Sequence, residues 1–257
     1  MRSFLALLKK EFLESLRCRR LLILGLLFTL FGIMNPAVAK LTPWMLELTS
    51  ESLASAGMSV GEVTVDALTS WTQFFKNIPM ALIVFLLMYG GIFTGEYQSG
   101  SLILILTKGV SRYQIVLAKT LTLVTLWTVG YWLCYGVTYA YTVYYWDQSI
   151  MQNLTPATIN WWLFGVWTIC LLVLFSVLSK GSATVLLGTG GCVLACSLLG
   201  QIYTLRTYTP TVLTNSMALL LGAEEPDKTL PALLITVGTS LLCVVASIPI
   251  FNKRQLL

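Results

Sequence analysis

The sequence contains no histidine and little charge, with charged residues at only 11% of its 257 positions. The absence of histidine removes imidazole as a metal ligand, a proton relay or a general base. The chain also lacks a nucleotide-binding P-loop, Gly-x-x-x-x-Gly-Lys-Ser/Thr. The nearest approach, at residues 90–96, places Glu96 where the lysine should be, and a carboxylate there would repel phosphate. We therefore predict that the chain is not an enzyme and cannot hydrolyse ATP alone.

Acidic residues are missing from the middle of every long apolar stretch. An intramembrane protease or lipid transferase needs a nucleophile and a base, or paired acids, at membrane depth. The remaining candidate pair, Ser179 and Lys180, lies at the edge of a stretch. Proton- and sodium-driven carriers usually keep an ionisable side chain at mid-depth. The absence therefore favours transport energy that is supplied from outside the membrane.

The six cysteines do not indicate a disulfide framework. All except Cys18 lie inside apolar stretches, and Cys192 and Cys196 lack a third ligand for a metal ion. We predict that they are ordinary apolar residues, with no disulfide and no metal site.

Hydrophobic residues occupy 56% of the chain, and its mean hydropathy is +0.80, which is too apolar for a soluble domain. A membrane-spanning helix needs about 20 apolar residues, and a helix satisfies its own backbone groups in lipid. The sequence therefore predicts an all-α, polytopic membrane protein with a single domain, residues 1–257, and six transmembrane helices. The predicted spans are residues 21–39, 78–95, 113–137, 159–179, 183–204 and 230–251.

The basic residues lie mostly on one side of this arrangement. If the N-terminus is cytoplasmic, 12 of the 16 lysines and arginines are cytoplasmic and face only Glu11, Glu14 and Glu96. The other four basic residues and the other eight acids lie outside. This positive-inside pattern predicts a multi-pass protein of the cell membrane with both termini in the cytoplasm. It also accounts for the net charge of +5 without a nucleic-acid partner.

Residues 1–20 have a helical period of their own. Phe4, Leu5, Leu8, Phe12 and Leu16 fall within one arc of a helix, and the charged residues lie elsewhere. Such a helix lies in the inner interface of the membrane with its basic side chains toward water. The following apolar run is longer than the core of a secretory signal, so we expect the segment to remain uncleaved.

Two outer segments are long enough to fold. In residues 40–77, Thr42 with Pro43 predicts a helix start and Gly57 a helix stop. Residues 205–229 contain a short apolar helix after Asn215, which is too brief to span a membrane.

Between spans two and three, residues 96–112 form a polar loop with a dense pattern. Gly100 permits a sharp turn after Glu96. Ser101 is a candidate cap for a short helix over residues 102–107, which Gly109 is expected to end, and Ser111 is a candidate cap for span three. A simple connector whose basic residues obey the positive-inside rule is the alternative interpretation.

Arg112 and Lys119 follow this loop, the latter one to two turns into span three and near enough to its end to extend toward water. The whole pattern, Glu96, Gly100-Ser101-Leu102, Ser111-Arg112 and Lys119, resembles the cytoplasmic loop of ABC-2-type permeases, the membrane subunits of type V-like ABC exporters. The initial helix with Lys10-Glu11 resembles the elbow helix of that family. Two departures are Ser101, where the family usually has threonine, and Gly109, where it often has proline.

The resemblance implies a permease subunit that works as a dimer with itself or a sister permease, with two cytoplasmic ATPase subunits that bind ATP and magnesium. It implies that Lys10, Glu11 and the 96–112 loop couple to the ATPase, the loop residues being Glu96, Gly100, Ser101, Leu102, Ser111 and Arg112. It also implies export, and the acid-free interior favours a lipophilic or peptide-like cargo such as a drug, an antimicrobial peptide or a lipid. Residues 205–229 would then form an outer lid.

Span three is rich in threonine and aromatic residues. Thr122, Thr125, Tyr131 and Tyr135 are candidates for a substrate path between two permease copies. Helix packing for the threonines and an interfacial aromatic belt are the alternatives. For the whole protein, the alternatives are a membrane anchor or regulatory subunit of an ATPase that transports nothing, and a secondary carrier.

Overall fold

The computed structural model describes residues 2–55, 65–149 and 151–253. In this part of the chain there are eleven α-helices, two 3₁₀ turns and no strand. The helices are α1 (Arg2–Arg17), α2 (Arg20–Ser55), α3 (Ala67–Tyr89), α4 (Thr94–Ser99), α5 (Ser101–Thr107), α6 (Arg112–Tyr145), α7 (Leu154–Leu178), α8 (Ser182–Leu199), α9 (Tyr203–Arg206), α10 (Ser216–Leu220) and α11 (Leu230–Lys253). The 3₁₀ turns are Pro210–Thr214 and Pro226–Thr229.

Six helical stretches among the described residues are long and apolar enough to cross a membrane. They are Arg20–Met45, Ala67–Ser99, Arg112–Tyr145, Leu154–Leu178, Ser182–Leu199 and Pro226–Lys253. The predicted all-α fold with six spans is therefore confirmed, and the chain is a multi-pass membrane protein.

The first span differs from its prediction because α2 continues to Ser55 through two prolines. A helix start at Thr42-Pro43 is therefore wrong, whereas the predicted stop at Gly57 lies outside the described residues. A proline removes one backbone donor and leaves the carbonyl four residues earlier without its helical partner. For Pro36 that carbonyl belongs to Gly32, and the hydroxyl of Thr138 on α6 donates to it at 3.1 Å.

A buried polar bridge surrounds this point and consists of Gly32, Asn35, Asn77 and Thr138. The Asn35 amide donates to Thr138 Oγ1 at 3.0 Å, and the Asn77 amide donates to Asn35 Oδ1 at 2.8 Å. Asn35 and Thr138 are fully buried. Because α2, α3 and α6 each contribute a side-chain or backbone group, the bridge fixes the positions of the three helices relative to one another along their axes.

The remaining span boundaries also shift. Helix α3 begins at Ala67 rather than 78, because the Asp66 carboxylate caps it by accepting from the Thr69 amide at 3.0 Å. Helix α6 continues to Tyr145 rather than 137, and α8 ends at Leu199 rather than 204. In the predicted 40–77 segment, residues 40–55 and 67–77 are therefore helical extensions of two spans.

The core lies where α2, α3, α6 and α7 meet around Trp127, which is fully buried. Its ring contacts Phe28, Phe85 and Tyr131 at centroid distances of 5.9, 5.8 and 5.5 Å. A Cβ at Gly165 would lie 2.3 Å from the same ring, so glycine allows α7 to approach. The indole N–H of Trp127 donates a hydrogen bond to the backbone carbonyl of Trp162 on α7 at 3.1 Å.

The two ends of the bundle can be told apart. We call the end that holds α1 and the last turn of α11 the α1 end, and the opposite one the far end. At the far end the predicted short helix is present as α10, and Gly222 follows it with a positive φ of 67°. Leu213, Leu219 and Leu220 pack this segment onto α7.

Helix α1 lies against α6 and α2 through a face that overlaps one edge of the predicted apolar arc. Its buried residues are Leu7, Glu11 and Ser15, at successive i, i+4 positions, and Phe4 and Leu8 of the predicted arc are half-buried against the core. The rest of the arc, including Leu5 and Leu16, leaves apolar side chains on the outer surface of the helix.

Candidate functional site

Five charged side chains meet at the α1 end and form what we call the ion cluster: Lys10, Glu11 and Glu14 from α1, Glu96 from α4 and Lys119 from α6. Lys10 Nζ lies 3.0 Å from Glu11 Oε1 and 3.1 Å from Glu14 Oε2, and it also pairs with Glu96. Lys119 Nζ lies 3.1 Å from both oxygens of Glu11 and 3.1 Å from Glu96 Oε2. Three helices that are distant in sequence are therefore joined by charge.

The centre of the cluster is shielded from solvent. The side chains of Lys119, Glu11 and Glu96 are 2%, 7% and 10% exposed, whereas Lys10 and Glu14 at its rim are 38% and 44% exposed. Buried charges are tolerated when they are paired, and removal of one partner leaves the other uncompensated. Lys119 is the most deeply buried of the five, and loss of its charge would leave the buried carboxylates of Glu11 and Glu96 without this partner.

An aromatic ring, that of Phe93, also contacts the ammonium group of Lys119. Its ammonium lies 5.4 Å from the centroid of the Phe93 ring, within the range of a cation–π interaction. Phe93 is fully buried and precedes α4, so the same turn that presents Glu96 also supports the lysine.

The pKa of Lys10 is raised above that of an ordinary lysine. Burial acts in the opposite direction, but the hydrogen bond to Glu96 and the charge of Glu11 outweigh it. Lys10 therefore remains charged throughout the neutral range, and the rim of the cluster keeps its ion pairs.

The three carboxylates lie close enough together to raise the question of a metal ion. One oxygen each of Glu11, Glu14 and Glu96 falls within 4.8 Å of the others. Lys10 contacts all three residues and Lys119 contacts two of them. Since ammonium groups already occupy these oxygens, the arrangement fits an ion-pair cluster better than a metal site.

The loop after Glu96 has the predicted turns. Gly100 ends α4 in the left-handed region with φ 68°, and Gly109 follows α5 with φ 79°. Ser111 is the residue before α6, as expected, although its side chain makes no capping hydrogen bond. The short helix predicted from 102 to 107 is confirmed, with one additional residue at its start.

Ser101 does not cap that helix, contrary to the prediction. Helix α5 begins at Ser101 itself, with Gly100 as the preceding residue, and the Ser101 hydroxyl lies 3.0 Å from the Ser99 hydroxyl. Leu102 is buried, whereas Leu104 is 66% exposed. The helix is therefore anchored by one leucine and presents another on its outer side.

Arg112 contacts a different helix, α11. Its Nη1 donates to the carbonyl oxygens of Phe251 and Asn252 at 2.7 and 2.9 Å, in the last turn of α11. The predicted coupling residues therefore occupy three places: Lys10, Glu11 and Glu96 lie in the cluster, the residues around α5 lie beside it, and Arg112 lies at the start of α6 in contact with α11.

The predicted substrate-path residues lie along α6. Thr122 and Tyr131 are buried, and their hydroxyls donate to the carbonyls of Ala118 and Thr158 at 2.9 and 2.8 Å. Thr125 is half-buried and donates to Leu121 of its own helix. Tyr135 is half-buried and lines a cavity at the far end of about 430 Å³. Their assignment to a substrate path remains a prediction.

Lys119 is the residue that sequence reasoning missed, because it was expected to extend toward water. The structure buries it instead. It is the only charged residue of α6 after Arg112, and Glu11 and Glu96 are among the few acids on that side. A lone charge in a span requires a partner, so this pairing could have been proposed from the sequence.

Comparison with known families gives one finding that covers nearly the whole chain. A family model described as an ABC-2 family transporter protein matches residues 5–256. A search of curated proteins gives no match. The matched region includes both ends of the bundle, every described helix beyond the start of α1, and all five residues of the ion cluster.

Proposed function

Because the chain belongs to the ABC-2 transporter family and is a membrane subunit of an ABC transporter, we propose that it exports a lipophilic or peptide-like compound with energy from separate ATPase subunits. Two cytoplasmic ATPase subunits bind ATP and magnesium, and the permease works as a dimer with itself or a sister chain. The α1 end faces the cytoplasm in this proposal, in agreement with the positive-inside distribution of lysine and arginine.

The ion cluster is the observation that carries the proposal. It links α1 to α6 and to α4, the helix that carries Glu96, through charge pairs whose central side chains are buried. A force on α1, or on α5 through the adjoining α4, then moves α1, α4 and α6 as one body, because their separation would leave Glu11, Glu96 or Lys119 unpaired in a low-dielectric interior. ATP-driven closure of the partner thus reaches the spans without a flexible intermediate.

Helix α5 supplies a surface for the partner. It lies between two glycines with positive φ, and Leu102 holds it against the protein. Ile103 and Leu104 are 38% and 66% exposed, and Lys108 follows them at the exposed end of the helix. A short apolar ridge with a basic tip fits a shallow groove on an ATPase domain.

An apolar cavity supports the choice of cargo. It has a volume of about 390 Å³ and lies between α3, α7 and α8. Its two hydroxyls, on Thr168 and Thr189, donate to carbonyls of their own helices at 2.8 Å. With no free donor from these side chains, the cavity suits a neutral apolar group, and its size is near the lower end of small-molecule sites.

The test is purification of the tagged chain from its native membrane in mild detergent, with identification of co-eluting proteins. We expect a soluble protein with a P-loop in a stoichiometric amount. Glu96→Gln should weaken cargo-stimulated ATP hydrolysis, whereas Glu225→Gln, which changes a 77% exposed carboxylate at the far end, should leave it unchanged.

Three results would contradict the proposal. If the chain elutes without an ATPase, the proposed source of energy for export is absent. ATP hydrolysis that never responds to cargo indicates an anchor or regulatory subunit. Transport that persists after ATP depletion indicates a carrier.

A further inference from the structure

Arg112 lies at a position where its charge is unfavourable for its own helix. It is the first residue of α6, and the N-terminus of a helix carries a partial positive charge. Its guanidinium points away from α6 and donates to the carbonyls of Phe251 and Asn252 in the last turn of α11. Arg112 therefore ties the first residue of α6 to the backbone of α11 through two hydrogen bonds.

The end of α11 is held by aromatic contacts as well. The Phe251 ring is fully buried and lies 5.7 Å from the Arg112 guanidinium carbon. The ring of Phe93, which precedes α4, lies 5.8 Å from it, and the ring of Tyr97 within α4 lies 6.3 Å from it. Residues at the two ends of the 96–112 loop, together with Phe93 just before it, thus enclose one aromatic side chain of α11.

Between its ends, α11 presents a smooth face to the bundle. The buried residues of α11 are small except for the last: Ala232, Thr236, Ser240, Cys243, Ser247 and Phe251. The hydroxyls of Thr236, Ser240 and Ser247 donate to carbonyls within α11 at 2.6 to 2.7 Å. The Cys170 thiol of α7 lies within hydrogen-bonding reach of Ser240, so a small shear of this face along α7, its main neighbour, would disturb few hydrogen bonds between the two helices.

The opposite end of α11 reaches the segment predicted as a lid. Helix α11 has 24 residues and is therefore about 36 Å long. At the far end it contacts the Pro210–Thr214 turn, and the turn before it bonds to α7 through Asn160 and Thr229 at 3.3 Å. The chain thus has a helix that is held at one end by Arg112 and touches the far-end segment with the other.

We infer that Arg112 is a positioning residue that connects the 96–112 loop to α11, and that α11 carries displacement of this loop to the far-end segment. The inference rests on the proposed function, since the displacement is the one that the ATPase produces. In this inference Arg112 makes a contact inside the permease instead of a contact with the ATPase. Helix α11 transmits displacement from the α1 end to the far end.

The experiment measures movement at the far end in the co-purified complex, reconstituted in nanodiscs. The six native cysteines are replaced, and Lys228→Cys places a thiol before α11, where the lysine side chain is 67% exposed. The measured quantity is the ratio of labelling rates by a polar maleimide with and without ATP. The variants are Arg112→Gln, Arg112→Lys and the control Lys180→Gln, which changes an exposed lysine between α7 and α8.

We expect an ATP-dependent ratio in the reference protein and in Lys180→Gln. In Arg112→Gln the ratio should fall about fivefold or more, the lower range of coupling between distant sites, while the ATPase remains bound and hydrolyses ATP. Arg112→Lys should give an intermediate ratio, because an ammonium can reach the same carbonyls with fewer donors. A purely structural role would instead lower the amount of complex and leave the ratio of the remaining complex unchanged.

An equal ratio in Arg112→Gln and the reference overturns the inference and leaves the proposed function intact. The same holds if the reference binds the ATPase but labels identically with and without ATP. If Arg112→Gln does not fold, Arg112→Lys decides, since an unchanged ratio there contradicts the inference. Failure of the reference chain to co-purify with any ATPase overturns the proposed function, and the inference with it.

Discussion

The Nζ atom of Lys119 lies 3.1 Å from Oε2 of Glu96, and this pair joins α6 to α4 in the interior of the α1 end. The lysine side chain is 2% exposed and the glutamate side chain 10%. An ion pair at this depth is more sensitive to loss of one partner than an exposed pair, because the remaining charge cannot recover its hydration.

Replacement of Lys119 by methionine should therefore destabilise the protein strongly. We expect a loss of about 3–5 kcal/mol, the usual cost of breaking a buried ion pair from one side. Thermal unfolding in detergent measures it, with Lys180→Met as the control for loss of an exposed lysine. Addition of Glu96→Gln to Lys119→Met should recover part of the loss; a double variant that is as unstable as the sum of the single variants would contradict the pairing.

The polar bridge makes a second prediction. Thr138→Val removes the donor to the Gly32 carbonyl and one partner of Asn35, all of them buried. Unsatisfied buried groups cost about 1–3 kcal/mol, and hydrogen bonds in membranes are at the lower end of that range. We expect a loss of about 1–2 kcal/mol for Thr138→Val and little change for Thr138→Ser, which keeps the hydroxyl. Equal stability of the two variants would show that the Gly32 carbonyl does not need this donor.

The turn at Gly100 allows a matched comparison with Gly95. Gly100 has φ 68°, whereas Gly95 lies in α4, and a Cβ at either position would meet open space. Alanine should destabilise by about 1–2 kcal/mol at Gly100, where left-handed backbone is unfavourable, and stabilise by about 0.5–1 kcal/mol at Gly95. Unfolding curves of the two variants, measured together, give the difference directly. A neutral Gly100→Ala would mean that the loop adopts another conformation.

The apolar cavity can be tested by filling it. Gly190 lines the cavity, and a Cβ there would contact nothing within 4 Å. Gly190→Leu should reduce export of a neutral lipophilic dye by about tenfold, which corresponds to about 1.4 kcal/mol of lost binding, without loss of folded protein. Gly238→Leu is the control, since Gly238 is an exposed glycine of α11 with equally open surroundings. Equal export by both variants would remove this cavity from the cargo path.

The raised pKa of Lys10 predicts a flat response to pH near neutrality. Because the folded-state pKa lies above the unfolded value of about 10.4, its contribution to stability is complete below that value and is lost as pH rises through the folded pKa. The difference in melting temperature between wild type and Lys10→Met should therefore stay constant from about pH 6 to about pH 9 and shrink only in stronger alkali. If this difference varies between about pH 6 and about pH 9, a group other than Lys10 controls the pH dependence of these ion pairs.

Much of the fold could be predicted from the sequence because span formation depends on local composition. Runs of apolar residues with few charges identify six helices, and Gly100 and Gly109 mark the turns around α5. These signals act over a few residues and need no knowledge of the partner helix.

The errors have a different origin. The helix start expected at Thr42-Pro43 is wrong because α2 continues through Pro43 to Ser55, and a proline inside a long helix removes only one backbone donor. Lys119 was expected near water, but it is buried because Glu11 and Glu96 arrive from two other helices. For Lys119 the decisive contacts join distant parts of the chain; its charge within a span indicates that a partner exists, but the local pattern does not show that the partners come from α1 and α4.

The ion cluster also has a consequence for how the protein is made. Glu11 is synthesised 108 residues before Lys119, which is a delay of about 5–20 s at a translation rate of about 5–20 residues per second. During that interval α1 and the first span are synthesised, but the lysine that pairs with Glu11 is not. The packing of α1 against α6 can therefore be completed only after the third span has emerged.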